Sequence, residues 1–507
     1  MHHVSLIIEF LRGRPALVFW TVALTQGVLW TLIPALFYSA PPGGVPLLLA
    51  IGHEFVLGSY LGPPLAFWLG EIAFRLAGMF GLYALAQICV VTALWAVFTL
   101  GRSVVGTRHA VLGILLMVGI ATFTVPSPDF GPAVLAAPLW ALALLHYWRA
   151  VGLSQRGAWF LLALDLGLLL LTNYIGLILI VLLVLFTPLT ANGRRAFLYP
   201  EPWLAVALCA IVVFPHAAWL TYSRDLVIAT FTESTAPDGK LSAGLWLGVV
   251  LVASHLGLAL LAALASGWPR QRGERAPEID RSPVEPLARF YVYFFALAPA
   301  ACAIALAFTD ERLRPLGSLG PLTSVAPLVV LSGLAVILAA GDEVLIYRER
   351  LVSSAWLSLL LLPPLMVVVS LAVAPWTFAT DVRIAQPAKA EGQFFADNFQ
   401  RRTGKPLAFV TGDERLAPLI ALTAPSRPRV FFAWAPQRSP WASVDDVAAQ
   451  GAVLVWPAEN SNVPPATLKT QFPNMVPELP RSFARTVQGR LPLIRLGWSV
   501  LRPQATP

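Results

Sequence analysis

The sequence predicts an all-α polytopic membrane domain followed by a small α/β domain outside the membrane. Of the 507 residues, 57% are hydrophobic and only 12% are charged, whereas an ordinary soluble protein is about a quarter charged. Apolar runs long enough to span a bilayer recur up to about residue 375, and the composition becomes polar beyond it. This composition excludes a cytosolic enzyme, a disordered chain and a disulfide-stapled secreted domain.

The apolar runs predict eleven transmembrane helices. They lie at 15–39, 80–101, 109–126, 130–151, 157–172, 173–190, 202–222, 242–268, 288–308, 323–341 and 354–374. The run 157–190 is too long for one crossing, and the polar Thr172-Asn173-Tyr174 divides it. The first run is longer than the apolar core of a typical signal peptide, so it is predicted to be an uncleaved span.

Arginines cluster in alternate loops between the apolar runs, which is the usual signal of the cytoplasmic side. The clusters are Arg102 and Arg108; Arg149 and Arg156; Arg194 and Arg195; Arg270, Arg272, Arg275 and Arg281; Arg348 and Arg350. Together with Arg12 and Arg14 they predict a cytoplasmic N-terminus, and the exceptions on the opposite side are Arg312 and Arg314. An odd number of spans then places the C-terminal domain outside. The net charge is +8, but because these arginines lie in short loops between apolar runs, no nucleic-acid partner is expected.

Residues 40–79 are predicted to form a large first external loop. The segment is mildly apolar but broken by prolines, and we interpret it as helices lying at the membrane surface. It carries His53, Glu54, Glu71 and Arg75. Because Glu71 and Arg75 are four residues apart, they can pair on one helix face.

Residues 376–507 are predicted to form the soluble α/β domain, with 1–375 as the membrane domain. Strands are predicted at 406–411, 429–433 and 452–456, and a helix is predicted at 413–423. The final stretch, 457–507, is rich in proline, and no elements are predicted there.

Ionisable groups inside apolar runs are candidates for function. Asp165 is either a site carboxylate or one partner of an interhelical hydrogen bond, and His216 lies near the external end of its span. Cys89, Cys209 and Cys302 lie inside apolar segments without metal-ligand spacing. Phosphate-binding glycine loops and hydrolase motifs are absent from the sequence, so soluble nucleotide and hydrolase chemistry is not expected.

Four stretches carry a resemblance to a known family. They are 32–69, with Gly52-His53-Glu54 to Tyr60 and Pro63-Pro64-Leu65; Phe130-Gly131-Pro132 to Leu142; Leu171-Thr172-Asn173-Tyr174; and Phe214-Pro215-His216 to Leu220. Their order resembles the C-type glycosyltransferase (GT-C) superfamily. The nearest likeness is to bacterial family 39 and family 83 proteins, which include the aminoarabinose transferases of lipid A and relatives of the dolichyl-phosphate-mannose-protein mannosyltransferases.

The resemblance implies transfer of a sugar from a polyprenyl-phosphate carrier to an extracytoplasmic acceptor, with inversion at the anomeric carbon. The acceptor is left open between lipid A, a core glycan, another lipid and a protein. The implied partners are membrane lipid, the polyprenyl-phosphate-linked sugar and that acceptor. Beyond this donor substrate no cofactor is certain, and no residue cluster calls for a metal. The implied location is a bacterial inner membrane with a periplasmic C-terminal domain.

The chain departs from the family pattern at its expected catalytic aspartate. In relatives this residue follows the first proline pair as Pro-Pro-x-Asp-x-x-Glu, whereas here Gly44 and Leu47 occupy those positions. Asn173 stands where relatives often have lysine. Glu54 is therefore the first candidate for the base toward the acceptor hydroxyl, and Asp129 is the second. The candidates for substrate binding are His53, Tyr60, Glu71, Arg75, Asn173, Tyr174 and His216.

Three alternatives to an active transferase remain at this point. A catalytically degenerate scaffold would bind polyprenyl lipid or glycolipid without transfer. A transporter is disfavoured because the sequence has no paired repeats with interrupted helices. An oligosaccharide polymerase or ligase would also use a polyprenyl carrier, but the order of the motifs favours the family 39-like interpretation.

Overall fold

The structure, a computed structural model, describes residues 9, 13–125, 127–233, 243–268, 278–309, 325–377, 382–458 and 463–504. Several arginines used above to predict orientation lie outside the described residues, namely Arg12, Arg270, Arg272, Arg275, Arg312 and Arg314.

Helices make up most of the chain as far as Thr377. They are α1 (Pro15–Phe37), α2 (Val45–Gly52), α3 (Leu65–Met117), α4 (Pro132–Tyr147), α5 (Ala158–Leu170), α6 (Gly176–Leu189), α7 (Ala191–Ala196), α8 (Glu201–Glu233), α9 (Ala243–Ser254), α10 (Leu256–Ala265), α11 (Pro286–Thr309), α12 (Ser332–Ala339) and α13 (Glu349–Thr377). A two-stranded antiparallel ribbon joins β1 (Glu278–Asp280) to β2 (Glu343–Leu345).

Six helices of the described chain are long and apolar enough to cross a membrane, and a seventh crossing results if the bent pair Gly244–Ser254 and Leu256–Ala265 is one span. Three further apolar helices are shorter, at Ala158–Leu170, Gly176–Leu189 and Ala326–Ala339. Length and composition alone therefore do not reach the predicted number of eleven. A break between two helices lies at the predicted division of 157–190, because α5 ends at Leu170 and α6 begins at Gly176.

The backbone of α3 is interrupted at two glycines. Gly78 and Gly106 have φ values of +60° and +77°, which a right-handed helix does not use. Nothing lies within 4 Å of a Cβ placed on either residue, so backbone conformation rather than space favours glycine there. Gly106 lies between Arg102 and Arg108 in a predicted loop, and Gly78 lies at the predicted end of the external loop. Both predicted boundaries thus coincide with a break in α3.

The chain packs as two compact units. The first contains the described residues of Met1–Leu32, Leu61–Ala66 and Phe80–Leu365, and the second contains those of Ile33–Tyr60, Phe67–Met79 and Met366–Pro507. The second unit therefore combines most of the predicted external loop with the C-terminal region.

Buried polar contacts join neighbouring helices in the first unit. His146 Nδ1 on α4 and Asp165 Oδ2 on α5 are 2.5 Å apart. This confirms the interhelical hydrogen bond as the role of Asp165 in the fold. The indole nitrogen of Trp356 on α13 donates to the carbonyl of Leu115 on α3 over 3.0 Å, and such a contact satisfies a group that would be costly to leave unpaired in lipid.

The second unit is built on a five-stranded mixed sheet. Its helices and strands are α14 (Ala388–Thr403), β3 (Phe409–Gly412), α15 (Leu416–Thr423), β4 (Arg429–Phe431), α16 (Val444–Gln450), β5 (Ala452–Pro457), α17 (Ala466–Gln471), β6 (Arg481–Phe483) and β7 (Ile494–Leu501). The strand order is β4-β3-β5-β7-β6. β3 pairs in parallel with β4 and β5, and β7 pairs antiparallel with β5 and β6. Phe409, Phe431, Leu454 and Trp456 are among the buried residues of its core.

Residues of the predicted external loop pack onto this α/β region inside the second unit. The backbone amides of Ser39 and Ala40 both donate to the carbonyl of Ile384, over 2.9 and 3.0 Å. Ala40 also packs with Ala388 and Leu419. The segment around residue 40 is thus fixed by backbone bonds and by burial.

The predicted strands and helix of the C-terminal region all form, with boundaries shifted by a few residues. No element was predicted for 457–507, yet α17, β6 and β7 lie there. β7 is an interior strand of the sheet, and most of its residues are buried. The alternation of Ile494, Leu496 and Trp498 with Arg495 and Gly497 was the available strand signal.

Candidate functional site

The end of α2 and the start of α3 bring most of the predicted loop residues together in the second unit. α2 is an apolar helix with Pro46 in its first turn and His53 as its C-cap. A Cβ on Gly52 would lie 2.4 Å from the carbonyl oxygen of Phe67, so glycine allows the end of α2 to approach α3 closely. This approach places His53 next to Glu71, with 3.3 Å between Nδ1 and Oε1.

Glu71 is the most enclosed carboxylate of this group. Its side chain is 1% exposed, and it pairs with Arg75 Nε and Arg427 Nη2, each at 2.8 Å. The predicted pairing of Glu71 with Arg75 is confirmed. With His53 as a third neighbour, both carboxylate oxygens are engaged, so the geometry fits an anchoring role within the unit.

Glu54 forms a bidentate ion pair with Arg429, the first residue of β4. Arg429 Nε lies 2.9 and 3.1 Å from the two carboxylate oxygens, and its Nη2 lies 2.6 Å from Oε2. Nη2 also donates to the carbonyl of Trp441 over 2.9 Å. The bonds to Glu54 raise the pKa of Arg429, and a guanidinium remains charged in proteins in any case.

The backbone is unusual on both sides of this ion-pair cluster. Phe55 and Arg427 have φ values of +48° and +47°, a region that bulky side chains enter only at a cost of roughly 1 kcal/mol or more. Each lies within two residues of an ion-pair partner, Glu54 or Arg429. The ion pairs therefore stabilise backbone conformations that Phe55 and Arg427 do not prefer on their own.

Tyr60 lies in an aromatic and cationic setting of its own in the second unit. The centre of its ring is 4.6 Å from the guanidinium carbon of Arg438. The same guanidinium carbon lies 4.5 Å from the centre of the Trp434 ring. Burial raises the pKa of Tyr60, to which Glu414 also contributes. The phenol is thus protonated at neutral pH, and its oxygen is buried without a hydrogen-bond partner among the described residues.

The remaining predicted residues lie in the first unit. Tyr174 Oη and His216 Nε2 are 2.9 Å apart, and His216 is 3% exposed, so the structure brings this predicted pair together. Asn173 is buried, and its Oδ1 accepts a hydrogen bond from the amide of Ile175. Asn173 therefore shapes the turn between α5 and α6. Asp129 is half-buried two residues before Gly131, the extended N-cap of α4.

The sequence predicted a single site, but the structure divides its residues between the two units. The second unit contains His53, Glu54, Tyr60, Glu71 and Arg75, and the first contains Asp129, Asn173, Tyr174 and His216. Sequence reasoning missed Arg427 and Arg429 as partners of the carboxylates. Their spacing, Arg427-Pro428-Arg429, was visible, but the ion pairs join residues 356 and 375 positions apart.

The ion pair of Glu54 limits what this carboxylate can do in the arrangement observed. A general base must accept a hydrogen bond from the hydroxyl that it deprotonates. Both oxygens of Glu54 already accept bonds from Arg429. A hydroxyl must therefore share these oxygens with Arg429 or replace its hydrogen bonds before Glu54 can take the proton. Within the described residues no group of three or more His, Cys, Asp or Glu side chains could hold a metal ion.

Comparison with known proteins gives a family match for part of the chain. The dolichyl-phosphate-mannose-protein mannosyltransferase family matches residues 62–219. This range contains Glu71, Asp129, Tyr174 and His216 but not Glu54. No curated protein matches the sequence.

Solved structures resemble nearly the whole chain. The crystal structure of ArnT from Cupriavidus metallidurans bound to undecaprenyl phosphate is 13% identical with a TM-score of 0.61, and the match covers 97% of this chain and 99% of ArnT. Its apo form gives the same identity and TM-score, with 98% and 99% covered. The apo oligosaccharyltransferase of Archaeoglobus fulgidus is 13% identical with a TM-score of 0.42, covering 82% of this chain and 64% of that protein. The two ArnT structures and the family match thus confirm the resemblance predicted from the motif order, and the chain has the fold of ArnT.

Proposed function

We propose that this protein is a membrane glycosyltransferase that moves a sugar from a polyprenyl-phosphate-linked donor to an extracytoplasmic acceptor. The observation that carries the proposal is the fold match to ArnT, which covers both chains almost end to end. The matched ArnT structure was solved with undecaprenyl phosphate bound. The family match at residues 62–219 supports it independently of the fold.

The proposed placement is a bacterial inner membrane with eleven crossings, a cytoplasmic N-terminus and a periplasmic C-terminal region. Eleven crossings result if the bent pair counts as one, if α3 counts as two because of its break at Gly106, and if each of the three shorter apolar helices crosses. The arginine-rich loops then lie on the cytoplasmic side, as the positive-inside rule requires.

The proposed reaction is a direct displacement with inversion. A hydroxyl oxygen of the acceptor bonds to the anomeric carbon while the bond from that carbon to the phosphate oxygen breaks, and the polyprenyl phosphate leaves as an anion. A carboxylate takes the proton of the hydroxyl, which is the role proposed for Glu54, with Asp129 as the alternative. His53, Tyr60, Arg75, Tyr174 and His216 are proposed to contact the substrates. The sugar and the acceptor, whether glycolipid or protein, are left to the experiment.

Mass spectrometry of envelope glycolipids from cells with and without the gene tests the proposal. We expect the loss of a mass increment equal to one sugar, which identifies both sugar and acceptor. Rescue by Glu54→Gln and Asp129→Asn then separates the two candidate bases. Asp445→Asn is the matched control, because this carboxylate is exposed on α16, far along the chain from either candidate. Unchanged glycolipids and unchanged envelope glycoproteins in the deletion strain would refute a transferase.

A scaffold without catalysis is the second candidate function. It is favoured by one observation, the combination of Gly44 at the position of the family aspartate with a Glu54 whose oxygens are both held by Arg429. Such a protein would bind polyprenyl lipid or glycolipid without consuming it. It predicts that Glu54→Gln and Asp129→Asn both restore the function of the deletion strain.

A further inference from the structure

The two ion pairs between the loop carboxylates and the β4 arginines differ in how accessible they are. Arg429 is 38% exposed and its partner Glu54 is 7% exposed, whereas Arg427 is 23% exposed and Glu71 is 1% exposed. Glu71 also has Arg75 and His53 as neighbours. The Glu54–Arg429 pair is thus open to solvent on the side of the guanidinium, and the Glu71–Arg427 pair is enclosed.

We propose that Arg429 is a phosphate-binding residue masked by Glu54, and that a phosphate-bearing substrate takes over its guanidinium and thereby releases the carboxylate. The inference deepens the proposed function, on which it rests, because the released Glu54 is the carboxylate proposed as the base. It makes Arg429 a positioning residue that couples the presence of an anionic substrate to the availability of Glu54.

The chemistry of the pair favours a phosphate as the competing ligand. Guanidinium presents parallel N–H donors that match the oxygens of a carboxylate or a phosphate. Arg429 already uses this fork on Glu54 through Nε and Nη2. A phosphate oxygen pair can replace the carboxylate in the same geometry without a new donor set.

Arg429 is also held in place independently of Glu54. Its Nη2 donates to the carbonyl of Trp441, and its guanidinium carbon lies 5.7 Å from the ring of Phe409. These contacts remain when the carboxylate leaves, so an incoming anion meets an oriented guanidinium. Exchange then costs little ordering of the side chain.

The charges of the cluster are close to balanced. Arg75, Arg427 and Arg429 carry three positive charges against the two carboxylates of Glu54 and Glu71, and exposed Asp446 is a third negative charge that acts on Arg429. An anion that binds Arg429 must therefore displace a carboxylate instead of adding to the cluster. Because the Glu71 network is enclosed and multiply bonded, the incoming anion exchanges with Glu54 rather than with Glu71.

Carboxyl labelling of the purified full-length protein tests the exchange. The protein in nanodiscs is treated with a carbodiimide and an amine, and peptide mass spectrometry gives the labelled fraction of Glu54, with Glu71 as an internal protected reference. The probes are undecaprenyl phosphate, undecaprenol, lipid A and dephosphorylated lipid A. A phosphate lipid should raise Glu54 labelling about fivefold, the ratio that corresponds to losing a partly exposed ion pair.

The two possible sources of the phosphate are distinguished by the probes. A response to undecaprenyl phosphate but not to undecaprenol assigns the donor phosphate, and a response to lipid A but not to its dephosphorylated form assigns an acceptor phosphate. Either response supports the exchange. Equal labelling with phosphate-bearing and phosphate-free lipids, or no change with any lipid, overturns it.

Variants of the arginine complete the test. Arg429→Gln should leave Glu54 labelled at the high level without any lipid, and Arg429→Lys should keep a weaker response because the charge remains without the fork. Arg415→Gln removes an exposed arginine of the same unit and should behave as the unmodified protein. Glu54 that stays protected in Arg429→Gln refutes the masking.

The outcome is separable from that of the proposed function. Lipid-dependent labelling of Glu54 in a protein that transfers no sugar would refute the transferase and keep the phosphate exchange. Sugar transfer by a protein whose Glu54 labelling ignores phosphate lipids would keep the transferase and refute the exchange.

Discussion

Glu71 and Glu54 show how burial determines the contribution of a single carboxylate to the stability of the protein. We predict that Glu71→Gln lowers the stability of the protein by about 3 kcal/mol, because it leaves Arg427 without a charged partner in an enclosed setting. Glu54→Gln should cost about 1 kcal/mol or less, since its partner Arg429 is well exposed. Melting temperatures of the detergent-solubilised variants measure the difference. Equal losses would contradict this ranking, and Asp445→Asn again serves as the control.

Gly44 allows the missing family aspartate to be restored. It is the N-cap of α2 with φ −92°, and no side-chain bond caps the helix. Aspartate and asparagine both fit an N-cap and exceed glycine there by a few tenths of a kcal/mol. If catalysis was lost with the aspartate, Gly44→Asp should raise sugar transfer measured by glycolipid mass spectrometry. Gly44→Asn, which caps equally but offers no base, should not raise it. In a strain that already transfers sugar, no gain from Gly44→Asp would indicate that Glu54 or Asp129 acts as the base.

Individual contacts were predictable only where they are local in sequence. Glu71 and Arg75 were paired in advance because residues four apart share one helix face. The partner of Glu54 was out of reach, since Arg429 follows 375 residues later and nothing in either stretch specifies the other. The candidate site was therefore predicted as a set of residue types, without Arg427 and Arg429, which pair with its carboxylates.

At the scale of elements, the helices were predictable because they are apolar segments suited to a membrane. Lipid requires the backbone to satisfy its own hydrogen bonds, so long apolar runs must become helices. The breaks at Gly106 and at Thr172-Asn173-Tyr174 were visible as polar or basic interruptions. β6 and β7 were not predicted, because each depends on pairing with distant strands and prolines surround them.

α14 carries a prediction on pH. Glu391 is fully buried, and burial raises its pKa from 4.5 to about 7, although the amide of Gln386 donates to both of its oxygens. The folded state therefore holds a proton between about pH 4.5 and 7 that the unfolded chain releases. The stability that Glu391 contributes is fully present below about pH 4.5 and is lost as the pH rises through about 7, by on the order of 3 kcal/mol.

Melting curves of the full-length protein between pH 5 and pH 8 measure this loss. Glu391→Gln keeps a neutral side chain of the same size, so its melting temperature should fall less across this range than that of the unmodified protein. Parallel curves for the two proteins would show that Glu391 does not titrate between pH 5 and pH 8. Gln393→Glu is not a suitable control, because it adds a charge beside Asp397.

At the scale of the whole molecule, the number of crossings decides which residues can meet a periplasmic substrate. α5 and α6 contain 13 and 14 residues, so each is about 20 Å long against a hydrocarbon core of about 30 Å. If this pair entered and left the membrane on one side, the total would fall by two and the C-terminal unit would stay on the same side. If only the short helix at Ala326–Ala339 failed to cross, residues 40–60 and the C-terminal region would be assigned to opposite sides of the membrane, although both belong to the second unit.

Two single-cysteine variants separate these cases. With Cys89, Cys209 and Cys302 replaced, Gln155→Cys reports on the loop after α4, and Thr467→Cys reports on α17; both positions are exposed. An odd number of crossings between them predicts that a membrane-impermeant maleimide labels Thr467→Cys in intact spheroplasts and Gln155→Cys only after permeabilisation. Labelling of both from one side would mean an even number of crossings between them and would refute the proposed topology.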